Sequence, residues 1–101
     1  MNISGQEVLD ELWNIYMKCN SDTTAIYEIY KEDLSKLTEH ERLYLKGKMS
    51  ILIKDGFLAR YTPPCDAIPF SCVFTEQGIK AINDRIISNS KQGGQRGIPY
   101  L

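Results

Sequence analysis

His40 and three cysteines, Cys19, Cys65 and Cys72, are the only imidazole and thiol groups that this sequence offers to catalysis or metal binding. They are scattered. No Cys-x-x-Cys spacing occurs, the cysteines are odd in number, and His40 stands alone in a helix-start motif, so neither a zinc site nor a disulfide framework is implied. Cys65 is followed by Asp66, whose charge raises the pKa of a neighbouring thiol and disfavours nucleophilic use. No Gly-rich phosphate loop accompanies these residues. The chain therefore reads as a binding protein and not an enzyme, with no cofactor, no metal, and free buried thiols suited to a reducing compartment.

The chemistry that remains is charge. Twelve Lys and Arg face 13 Asp and Glu, a formal net of -1, which supplies no global attraction to phosphate or anionic lipid. Local distribution is another matter. The first thirty residues carry Glu7, Asp10, Glu11, Asp22 and Glu28 against the single Lys18, whereas residues 39–62 carry Arg42, Lys46, Lys48, Lys54 and Arg60 against Glu39, Glu41 and Asp55. Residues 85–101 add Arg85, Lys91 and Arg96 with no acidic side chain. Any contact with an anion must be built from this later part of the chain.

A chain of 101 residues, 43% hydrophobic and 25% charged, is expected to fold as one compact domain. The opening "MNISGQEVLDEL" lacks a basic start followed by a long apolar stretch, and nowhere is the apolar run long enough for a membrane span. The expectation is a cytoplasmic protein with no membrane contact.

Ser4 and Glu7 form a capping box ahead of Val8, Leu9, Leu12, Trp13, Ile15, Tyr16 and Cys19, whose spacing predicts a first helix with one broad apolar face. "NSDTT" breaks it. "AIYEIYKEDLSKL" is ambiguous: Ala25 to Tyr30 suits a short strand followed by a helix from Lys31 to Leu37, and Ile26, Tyr30 and Leu34 also suit one continuous helix, which is the expectation adopted. A second capping box, Thr38 with Glu41, predicts a long third helix ending at Asp55-Gly56. "FLARYT" and "FSCVF" read as two strands around "PPCDAIP", whose prolines cannot donate ladder bonds. Thr75 caps a fourth helix, "EQGIKAINDRII", with Ile79, Ile82 and Ile86 facing inward, and "SNSKQGGQRGIPYL" reads as a mobile tail.

This order, with Leu52-Ile53-Lys54-Asp55-Gly56-Phe57-Leu58 leading from the third helix into a strand and Phe74-Thr75-Glu76-Gln77-Gly78 leading from the last strand into a helix, resembles the winged helix-turn-helix family. The resemblance covers about residues 5 to 87. It implies a mainly α fold with a small β-hairpin, in which a three-helix core carries a wing and a C-terminal helix. The domain would span residues 1–87 and the flexible tail residues 88–101. It also implies that the third helix enters the major groove of duplex DNA while the wing lies beside the backbone.

With Leu45, Met49, Leu52 and Ile53 taken as the buried stripe, the opposite face of the third helix shows His40, Leu43, Tyr44, Gly47, Ile51 and Lys54, with Arg42, Lys46, Lys48 and Ser50 on the flanks. For a DNA-binding protein, expected as a homodimer that regulates transcription or a mobile element, the candidate contacts are His40, Arg42, Tyr44, Lys46, Lys48, Lys54 and Arg60. The wing tip, with Asp66 and no cation, departs from the DNA-binding pattern. An alternative is a protein-docking or assembly module that binds no DNA and uses Leu43, Tyr44, Gly47 and Ile51, an apolar patch that calls for a partner unless the first helix, the second helix or the tail covers these residues within the monomer.

Overall fold

The structure, a computed structural model, describes residues 2–61 and 70–97, the side chains of 91–97 excepted. Its elements follow in the order α1 (Gly5–Lys18), β1 (Ile26–Ile29), α2 (Lys31–Ser35), α3 (Glu39–Lys54), β2 (Leu58–Arg60), β3 (Phe70–Phe74) and α4 (Glu76–Gly97). The fold is mainly helical with one small antiparallel sheet.

Helix starts and stops follow the local chemistry. The Ser4 hydroxyl accepts from the Glu7 N–H at 3.1 Å, satisfying one orphan donor at the head of α1. Asn20 and Ser21, at φ 58° and 61°, turn the chain out of that helix, and the Asp22 carboxylate takes the Thr24 N–H at 2.8 Å and the Thr24 hydroxyl at 2.6 Å. At the head of α3 the Thr38 hydroxyl accepts from Glu41 N–H at 3.1 Å while Glu41 accepts from Thr38 N–H at 2.8 Å. The box is closed in both directions.

The single helix expected over residues 25–37 is a strand followed by one helical turn and a half. Ile26, Tyr27, Glu28 and Ile29 pair antiparallel with Val73, Cys72, Ser71 and Phe70. A strand places Tyr27 and Ile29 together beside Cys72 and Phe70, and it also spends its backbone donors on β3. A new helix begins where the Asp33 carboxylate accepts the Tyr30 N–H at 2.9 Å. The expected two-stranded hairpin accordingly becomes a three-stranded sheet of order β1-β3-β2, with β3 in the centre. Leu58, Ala59 and Arg60 pair antiparallel with Phe74, Val73 and Cys72, as the strand readings anticipate.

The junction of α3, β2 and α4 is tightly bonded. Gly56, at φ 86°, takes the left-handed conformation that ends α3, and Phe57 N–H donates to Leu52 O at 2.9 Å. Thr75 donates its hydroxyl proton to Gly56 O at 2.5 Å and its N–H to Phe57 O at 3.2 Å, and its oxygen accepts the Gly78 N–H at 3.0 Å. Gly78 has no room for a side chain, because a Cβ there would run into the Phe57 carbonyl oxygen. The Thr-x-x-Gly step is thus a weld between the start of α4 and the turn after α3.

Around this weld Leu12, Ile15, Leu52, Leu58, Cys72 and Ile82 are fully buried, one side chain or two from α1, α3, the sheet and α4. One further difference from the sequence reading concerns the C-terminal region. The backbone of α4 continues past Ile87 to Gly97, so the tail expected from residue 88 begins inside a helix. Residues 98–101 and the wing-tip residues Cys65 and Asp66 lie outside the described residues. Among the described residues, no helix is long and apolar enough to cross a membrane.

Candidate nucleic-acid interface

Helix α3 owes its outer face to three sets of contacts on its other sides. At its start the Arg42 guanidinium donates from Nη1 to Leu37 O at 2.6 Å and to Leu34 O at 3.3 Å. One of these carbonyls ends α2 and the other lies in the turn after it, and a cation there faces the negative end of that short helix. Arg42, expected on a flank within reach of phosphate, therefore fastens the turn between α2 and α3.

The second set lies against α1. Tyr44 donates its hydroxyl proton to Glu7 Oε2 at 2.6 Å, and one helical turn later Lys48 Nζ stands 2.8 Å from Glu11 Oε1. The Lys48 ammonium also lies over the Tyr44 ring, 4.3 Å from its centroid. This ion pair is withdrawn from water, with side-chain exposures of 15% for Lys48 and 6% for Glu11. The hydrogen bond to Glu7 holds the Tyr44 phenol above its usual pKa, and burial, with a smaller contribution from the Glu11 charge, pushes Tyr27 up to about 12. Tyr44 and Lys48 were expected outward or on a flank. Both face α1 instead, and their polar groups are engaged there.

The third set covers the remainder of the expected apolar patch. Ile3 lies over Gly47, so close that a Cβ at residue 47 would meet its Cδ1 at 2.7 Å. Ile51 is half-buried and lines a groove with Ile3, Val8, Leu9 and Phe57. Leu43 alone of the four patch residues stays open, 55% exposed. At the end of β2 Arg60 lies 4.4 Å from the Phe70 ring centroid, on the face of the sheet that also holds Cys72. It is stacked, where the sequence reading held it to phosphate.

What faces solvent is a line of His40, Leu43, Lys46, Ser50 and Lys54 along α3, all of them exposed. Of the seven residues expected to meet DNA, His40, Lys46 and Lys54 share this line, and Ser50 joins them from the flank. Glu39, Glu41 and Asp55 are exposed at the two ends of the helix, so the positive charge is concentrated at Lys46 and Lys54. Among the basic residues after position 84, Arg85 is bound to Asp10 at 3.0 Å and lies over the Trp13 ring at 4.9 Å, clamping α4 to α1. The side chains of Lys91 and Arg96 lie outside the described residues.

The sequence reading did not single out Glu7 and Glu11 as partners of α3. A signal for Glu11 was present: it falls at helical spacing among Val8, Leu12 and Ile15, a carboxylate inside an apolar stripe, as Lys48 falls between Leu45 and Leu52. Two opposite charges so embedded imply each other.

Cys19 and Cys72 are the thiols among the described residues. Cys72 is buried and its pKa is pushed up to about 12, chiefly by burial, and Cys19 is raised for the same reason. Among the described residues, no group of three or more His, Cys, Asp or Glu is placed to hold a metal ion. Comparison with family models, curated proteins and solved structures finds no match.

One pH dependence follows from the caps and the clamp. Hydrogen bonds from Thr38 hold Glu41 below its ordinary 4.5, and hydrogen bonds from Gln6 and then Arg85 hold Asp10 below 3.8. A carboxylate whose pKa is depressed by folding stabilises the fold above its unfolded value and ceases to do so as pH falls through its folded value. The urea midpoint is therefore expected to drop steadily from about pH 5 to about pH 3. In Glu41→Gln the drop should be shallower; a slope identical to wild type would show that the cap carries none of it.

Proposed function

We propose that this chain is a winged-helix domain that binds duplex DNA through the outward line of α3 and serves as a regulator of transcription or of a mobile element. The element order, a tight α2–α3 turn held by Arg42 and the antiparallel pairing of β2 with β3 support the fold reading. The observation that carries the DNA reading is that α3 is held from behind on three sides while His40, Lys46, Ser50 and Lys54 are presented together. A helix fits the major groove, Lys46 and Lys54 reach phosphates as point charges, and Ser50 and His40 are short enough to meet base edges.

With two phosphate contacts of this kind, the logarithm of affinity should fall against the logarithm of salt with a slope of about -2. Lys46→Ala should weaken binding to every sequence alike and reduce that slope by about 1. Fluorescence anisotropy with labelled duplexes at low salt measures both, and no binding to any duplex would end the proposal. A second reading rests on Leu43, an exposed apolar side chain in the middle of the line. Here α3 docks on a second copy or another protein and binds no DNA. Leu43→Lys distinguishes the two: it should tighten duplex binding in the first case and dissolve an assembly seen by light scattering in the second.

A further inference from the structure

The geometry points to a rotational lock: the buried Glu11–Lys48 ion pair, with the Glu7–Tyr44 hydrogen bond one turn before it, sets which face of α3 is turned outward. That this face meets DNA rests on the reading above; the lock itself does not. Apolar residues surround more than half of α3, from Tyr44 and Ile51 through Leu45, Leu52 and Met49 to Ile53, with Leu43 besides. So broad a stripe tolerates more than one rotation about the helix axis. Taken by itself the pattern places Tyr44, Gly47 and Ile51 outward and Lys46, Lys48 and Ser50 on the flanks, whereas the folded chain turns Tyr44, Gly47, Lys48 and Ile51 inward and Lys46 and Ser50 outward.

The charges discriminate where the apolar surface does not. Glu11 sits on the buried side of α1 between Val8, Leu12 and Ile15. A rotation that returned Lys48 to a flank in water would leave the Glu11 carboxylate in the core without its counter-charge, and would also take Tyr44 from Glu7. Desolvated ion pairs contribute little net stability against apolar substitutes, yet they penalise every arrangement that separates them. Glu7 and Glu11 are thus positioning residues for a surface they do not belong to.

The test replaces both charges by side chains of similar length, E11M/K48M, in the full chain. Tm is expected to stay level or rise. Bleaching of side-chain NMR signals by a soluble nitroxide reads the face directly. In the wild type His40, Leu43 and Lys46 should be bleached and Tyr44 and Ile51 protected, and in the double variant Tyr44 and Ile51 should lose their protection. Duplex affinity should fall at least tenfold although the fold is no less stable, a divergence that a merely structural pair would not produce. An unchanged bleaching pattern overturns the lock, whether or not affinity changes. If the wild type binds no duplex, the DNA reading fails and the bleaching still decides the lock. Should the double variant not fold, the charge swap E11K/K48E restores the pair in reverse and should return the native pattern; a folded swap with Tyr44 and Ile51 bleached overturns the proposal.

Discussion

Lys48→Ala is expected to lower the unfolding free energy by about 3 kcal/mol, a large share of what a domain of this size possesses. The loss does not come from the salt bridge as an attraction in water. It comes from Glu11, which is 5% exposed and would keep its carboxylate among Val8, Leu12 and Ile15 after its only ion-pair partner among the described residues had gone. The loss falls at the low end for a broken buried pair because the Lys48 side chain retains 15% of its exposure. Removal also takes a cation from the Tyr44 ring. Urea unfolding followed by circular dichroism gives the number, with Lys46→Ala, on the exposed face of the same helix, as a control expected within about 0.5 kcal/mol of wild type. A loss below about 1 kcal/mol for Lys48→Ala would mean that Glu11 reaches water once unpaired.

Gly78→Ala is expected to be as damaging, at about 3 kcal/mol, through overpacking against main chain. The added methyl meets the Phe57 carbonyl oxygen, and that residue cannot retreat alone: Phe57 N–H is held by Leu52 O and its carbonyl accepts from Thr75 N–H. Moving α4 away instead breaks the Thr75 hydroxyl bond to Gly56 O and the Gln77 bond to Asp55 O. Gly47→Ala provides the contrast. Its new methyl meets only the end of the Ile3 side chain, which can shift, so the helix-propensity gain from replacing glycine should offset much of the crowding. Thermal melts of the two variants should differ widely; similar melts would show that the α3–β2 turn yields as easily as a side chain.

These two sites bear on function because they decide how α3 is held. Arg42, Tyr44, Lys48 and Arg60, four of the seven polar groups with which the sequence suggested a DNA contact, are engaged inside the domain, on α2, α1 and the sheet. The cationic surface left to α3 is small, so under the proposed DNA reading affinity is modest, has the salt dependence of two phosphate contacts and rests on Lys46 and Lys54. The Arg85 clamp on Asp10 and Trp13 likewise commits a basic residue to holding α4 on α1.

The capped helices were legible from residues alone. The Ser4 cap on the Glu7 N–H and the reciprocal Thr38–Glu41 box act within one turn of chain, so the information that starts α1 and α3 is contained in four consecutive residues, although the Glu7 carboxylate, expected to close a box at Ser4, accepts from Tyr44 instead. Gly56 and the Thr75-x-x-Gly78 step were equally visible, as was the pairing of β2 with β3, since adjacent strands need few partners from elsewhere. Residues 26–29 were not. Their β-branched and aromatic side chains fit helix or strand, and the choice fell to β3, more than forty residues away, whose central position needed a neighbour on each side.

By itself, then, the order of residues settled where α1, α3 and α4 begin and where α3 stops, because each depends on neighbours within a turn. The strand identity of β1, the rotation of α3 and the fate of its cations were decided only in the folded molecule. Each of these hinges on desolvation: a backbone donor, an ammonium or a phenol goes wherever a distant part of the chain supplies its partner out of water, and no local pattern says where that partner will be.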